Sequence, residues 1–126
     1  MIYNKGYDVW INLNFRGGID IIYKGEVLPQ YIGSKGRYKH PYPLVFVPDH
    51  GEACVHRLVA YSFGIMTSGK QIIDHIDNNP FNTHPFNLRV VTKSMNRALA
   101  SKQERRTPER MKEWEQHWRE ITYTRP

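Results

Sequence analysis

The chain has 126 residues, 40% of them hydrophobic and 24% charged, with a formal net charge of +6. That length carries one compact domain with a core of its own and a short appendage, and the balance excludes wholesale disorder. No apolar run is long enough to cross a bilayer and no charged-then-apolar leader follows Met1, so the expected setting is the cytoplasm. The single cysteine, Cys54, excludes an internal disulfide and a multi-thiolate zinc site, and between Ala53 and Val55 it reads as core packing.

In chain order, the first half reads as β-structure. Val9, Ile11 and Leu13 alternate with Trp10, Asn12 and Asn14, a period of two. Arg16-Gly17-Gly18 then turns the chain into a second strand, Ile19 to Tyr23, which predicts a hairpin. Lys24-Gly25 and Ser34-Lys35-Gly36 are further turns. They flank a strand around Val27 to Ile32 that carries Pro29, as edge strands can. Leu44 to Val47 is a short apolar strand closed by Pro48-Asp49-His50-Gly51.

The period then changes. Val55, Leu58, Val59 and Ser62 or Phe63 share one helical face, with Gly64 placed to end the helix. After a loop at Thr67 to Lys70, Ile72-Ile73 begin a strand, Asp77 to Phe86 is too rich in Asn and Pro for regular structure, and Leu88 to Val91 is a return strand. Thr92 caps a helix predicted from Lys93 to about Ser101. Thr107-Pro108-Glu109 starts a last helix whose stripe of Met111, Trp114, Trp118 and Ile121 packs on the domain or, alternatively, forms a partner or dimer surface.

Charge is distributed unevenly. Between Gly51 and Leu88 there are two basic residues against three acidic ones, whereas Arg89 to Pro126 holds ten against five. Such an arrangement suits a cation site beside a surface that binds a polyanion.

Asp74, His75 and Asn96 carry the chemistry. Phosphodiester hydrolysis needs an activated water and charge neutralisation at the phosphate and the departing oxygen. A neutral imidazole takes the proton from water. A hard divalent ion needs only one or two protein oxygens, which Asp74 and Asn96 offer. Adjacent strand residues point to opposite faces, so one site for Asp74 and His75 requires the strand to break near His75. Asn78, Asn79 and Asn82 are read as satisfying the loop backbone.

His56-Arg57-Leu58-Val59-Ala60, Asp74-His75-Ile76-Asp77, Asn87-Leu88-Arg89-Val90-Val91-Thr92 and Asn96 together resemble the HNH endonuclease family, in the branch found in phage genomes and mobile introns, over roughly Val55 to Ala98. The resemblance implies a ββα-metal unit with His75 as general base and Asp74 and Asn96 as metal ligands. Asn87 would be the middle asparagine that braces the loop and orients His75. It further implies one Mg²⁺ or Mn²⁺ ion, double-stranded DNA as substrate, products with 5′ phosphate and 3′ hydroxyl, and a phage-encoded protein in a bacterial host. Asn96 stands where many relatives carry a final histidine, which favours an oxygen-liking metal over zinc. Asn78 stands where relatives often have glycine, and His84 has no place in the pattern and reads as a loop residue without function.

The expected fold is therefore α+β: an N-terminal antiparallel β region over residues 1–54, a ββα catalytic unit over 55–101, and a C-terminal basic, amphipathic helix over 102–126. His56 and Arg57 face different ways on their helix, one toward the site and the other toward phosphate or structural bonds. Arg89 leaves the core face of its strand toward phosphate. Lys93, Arg97, Lys102, Arg105 and Arg106 form a basic run expected to contact the DNA backbone, with binding that falls steeply with salt. The expected function is metal-dependent nicking or cleavage of DNA. The competing one is a non-catalytic DNA-binding or partner-binding protein on the same scaffold.

Overall fold

The computed structural model describes residues 1–33 and 41–125; the turn expected at Ser34-Lys35-Gly36 lies outside them. Three antiparallel sheets are arranged around one helix. The first has the order β1 (Ile2–Asn4), β2 (Val9–Leu13), β3 (Ile19–Tyr23) and β4 (Glu26–Val27). The second joins β5 (Gln30–Gly33), β6 (Tyr42–Val47) and β7 (Gly51–Cys54), and the third pairs β8 (Ile72–His75) with β9 (Leu88–Val91). Helix α1 (Val55–Ser62) packs against β1, β6, β7 and β9, and so touches all three sheets. The mixed α+β architecture with strand–strand–helix units is as expected from the sequence.

The alternation in β2 and β3 puts Val9, Ile11, Ile19 and Ile21 at 3% exposure or less. Asn14 shapes the turn between them: its Oδ1 accepts from the amides of Arg16 and Gly18 at 2.9 Å each. Val45, Val47, Val55, Leu58, Val59 and Leu88 join the same buried cluster, which is therefore continuous from the first sheet to the third. Cys54 is buried, as core packing requires.

Three elements differ from expectation. The strand read over Val27 to Ile32 is two strands in two sheets, split at Leu28-Pro29. Proline has no N–H to extend the ladder, and the chain crosses between sheets at that point. The helix from Lys93 ends at Ala98 (α2, Lys93–Ala98) and restarts as the short α3 (Ala100–Gln103), so the residues after Leu99 turn back toward β8. Strands β1 and β7 carry no clear alternation and were not expected. They form by pairing with stronger neighbours.

Helix α4 (Pro108–Ile121) starts as its sequence predicts, with Thr107 Oγ1 accepting from the Arg110 amide at 3.2 Å. Its stripe packs inward: Trp118 is buried with its ring 5.8 Å from that of Phe81. The chain beyond it is tied to the β-sheets. Gln30 accepts from the Arg125 amide and donates to the Tyr123 carbonyl, while Asn14 Nδ2 donates to the Ile121 carbonyl. At Gly18 a Cβ would lie 2.1 Å from that same carbonyl, so only glycine allows the approach. Among the described residues no helix is long and apolar enough to cross a membrane.

Candidate active site

The Asn-rich loop between β8 and β9 is built by its own side chains. Asn87 Oδ1 accepts from the Asp77 amide at 3.0 Å, and its Nδ2 donates to Asp77 Oδ1 and to the Asn82 carbonyl, both at 2.9 Å. Asp77 also accepts from the Asn79 amide and from Asn82 Nδ2, and Asn79 accepts from the Phe81 amide. A short polar side chain that bonds a nearby amide replaces the ladder the loop lacks. Asn78 occupies the left-handed region with φ of 68°, a conformation that Asn tolerates better than most residues. His84 Nδ1 accepts from the Phe86 amide and so caps the one-turn helix Pro85–Asn87. This is a structural role that its sequence context did not announce.

β8 ends at His75 and the chain turns from Ile76, so the strand breaks where expected. In its last two ladder positions Asp74 is paired with Arg89 and His75 with Leu88. The two side chains therefore leave on opposite faces. Asp74 Oδ2 meets Arg89 Nε at 2.9 Å and Lys102 Nζ at 3.4 Å. His75 turns inward, 3% exposed, stacked 5.9 Å from the Tyr42 ring and edge-on at 5.1 Å to His56. His75 Nε2 is buried with no hydrogen-bond partner among the described residues. Asn96 is exposed on α2, which packs against β8 and β9.

Burial holds both imidazoles neutral. It is the main cause that lowers the His75 pKa to about 3, reinforced by the positive charges of Arg106 and Lys102. His56 is pushed well below its ordinary value by burial first, then by His75 and Arg57. Both groups have a lower pKa folded than unfolded, near 6.5. Their neutral forms thus support the fold fully above about pH 6.5, and that support is lost as the pH falls toward 3. Urea unfolding at pH 7.5 and pH 5 should show a lower midpoint at pH 5. A midpoint unchanged between these values would mean that neither ring is buried in solution.

The residues expected to contact nucleic acid lie in different surroundings. His56 is 1% exposed and sits among Tyr42 and His75, packed inside and not at the surface. A helix position next to arginine carries no sign of which face the sheets will cover. Arg57 donates to the Gly69 carbonyl at 2.8 Å. Arg89 pairs with Asp74, and Arg106 Nε donates to the Asn78 carbonyl and Oδ1. Lys93, Arg97 and Arg105 are exposed and make no ion pair among the described residues.

The two metal ligands expected from the sequence, Asp74 and Asn96, carry hard oxygen atoms of the kind that would suit Mg²⁺ or Mn²⁺. Among the described residues no three His, Cys, Asp or Glu side chains cluster as a zinc site would need. A groove of about 550 Å³ between the β2–β3 turn, the Asn-rich loop and α4 shares Asp77 and Asn87 with that loop, but is not lined by Asp74, His75 or Asn96.

Residues 53–98 match the model of the HNH endonuclease family. The matched segment takes in α1, β8, the braced loop, β9 and α2. This HNH segment points to nuclease activity and DNA binding in general. No curated protein and no solved structure matches the chain.

Proposed function

We propose that the protein is a divalent-metal-dependent DNA endonuclease in which His75 is the general base, Asp74 and Asn96 hold the ion, and Asn87 fixes the loop between them. The observation that carries this reading is His75 itself. An imidazole kept neutral by burial, whose Nε2 has no partner among the described residues, costs stability and serves no packing need that an apolar side chain would not meet better. Such a group fits a proton acceptor retained for chemistry.

His75 accepts a proton from the attacking water at Nε2; because its ring is buried and leaves the end of β8 on the face opposite Asp74, substrate entry has to uncover it and bring it round to the ion's side. The bonds of Asn87 to Asp77 and to the Asn82 carbonyl keep the β8–β9 loop from sagging away from that position. A divalent ion supplies charge neutralisation at the phosphate and the leaving 3′ oxygen when bound. Lys93, Arg97 and Arg105 are the cations left free to contact the DNA backbone. Residues 1–54 and 102–126 serve as the support on which unit 55–101 is mounted. A setting in a phage-infected bacterial cell follows only from the family resemblance.

The test is a supercoiled plasmid incubated with the protein and Mg²⁺ or Mn²⁺, with EDTA as control. Nicked or linear product that disappears with EDTA is the expected outcome. A plasmid that stays supercoiled while still being retarded in a gel would favour the binding-only alternative. An RNA substrate in parallel distinguishes the two nucleic acids.

A further inference from the structure

Lys102 lies 28 residues from Asp74 in the chain, yet its ammonium bridges Asp74 Oδ2 and the His75 carbonyl, the latter at 2.8 Å. Its own carbonyl accepts from Asn78 Nδ2 at 2.6 Å, and Arg106 Nε completes the clip on Asn78 at 2.9 and 3.0 Å. The segment 102–106 is thus fastened across residues 74–78.

The two cations on Asp74 are held differently. Arg89 stands opposite Asp74 in the β8–β9 ladder, so strand register fixes it there. Lys102 is carried by the four-residue α3, on a flexible four-carbon stem, at the longer distance of 3.4 Å. A divalent ion approaching the Asp74 carboxylate meets an ammonium already on one of its oxygens. Like charges this close repel strongly, and of the two partners Lys102 is the one that strand register does not hold in place.

We propose that Lys102 is a displaceable stand-in for the metal ion at Asp74. Metal binding then unclips residues 100–106 from the catalytic loop and releases Lys102 and Arg106 to meet phosphate. The inference rests on reading Asp74 as a metal ligand. It also accounts for two cations of the basic run being spent on the loop instead of on the surface.

Mn²⁺ is titrated into the parental chain, Lys102→Gln, Lys112→Gln and Asp74→Asn, with free Mn²⁺ followed by electron paramagnetic resonance at constant ionic strength. Lys102→Gln should bind about tenfold more tightly than the parent. Lys112→Gln removes one exposed charge from α4 and should stay within about twofold, because screened surface charges act weakly. Hydrogen exchange at the amides of residues 100–106 of the parent should accelerate on adding Mn²⁺, while β8 and β9 stay protected. Equal Mn²⁺ affinity in Lys102→Gln and the parent, or exchange unaffected by bound Mn²⁺, overturns the latch and leaves Asp74 as a ligand. Asp74→Asn binding as tightly as the parent overturns the ligand reading and the latch with it.

Discussion

His75→Ala should lose about 10²-fold to 10⁴-fold in plasmid cleavage, the range removed with a general base, while its affinity for DNA stays within about twofold. The imidazole acts on water and, at 3% exposure, adds nothing to the surface that DNA touches. Truncation also leaves a cavity beside Tyr42 and His56, so a second variant is needed to separate chemistry from folding. His75→Leu fills the space with apolar atoms and removes a buried nitrogen that has no partner among the described residues. It should unfold at the same or higher urea concentration than the parent while being equally inactive. Cleavage at the parental rate by either variant would show that the base lies elsewhere. A His75→Leu chain that is both inactive and strongly destabilised would mean the ring is needed for packing.

Trp118→Ala should cost about 3–5 kcal/mol of stability, the usual loss for deleting a large buried aromatic side chain. Thermal unfolding should move down by roughly 10 °C or more. The reason is the place of Trp118, 3% exposed and packed on Phe81, whose amide is held by Asn79 in the same loop that Asn87 braces. Loss of the indole should therefore loosen the loop as well as α4. Cleavage should fall at temperatures where the variant is still folded, and Trp118→Phe should recover most of both. A variant that melts with the parent would mean that α4 docks through its tail at Tyr123 to Arg125 and not through this ring.

The loop and the elements around it were legible because their signals are local. Thr92 and Thr107 cap the helices that follow them, and the alternation in β2 buries Val9 and Ile11, while Leu13 at its end stays exposed. Asx-rich segments bond their own backbone wherever they occur, so the roles of Asn79 and Asn82 followed from composition. The positions of the cations did not follow. Nothing in the sequence near Lys102 or Arg106 distinguishes a residue that will reach across to Asp74 and Asn78 from one that will face solvent.

The sequence by itself determined the hairpin β2–β3, the main helices, the order of Asp74, His75, Asn87 and Asn96, and the family to which residues 53–98 are matched. Those properties depend on side-chain chemistry and on spacings of a few residues. Only the tertiary structure decided that His56 and His75 meet edge-on in the core, and that Asp74 is already shared by Arg89 and Lys102. Burial and ion pairing are set by which distant elements are brought together, here α1 beneath three sheets and α3 folded back on β8. Charge and hydrophobicity read along the chain do not contain that information.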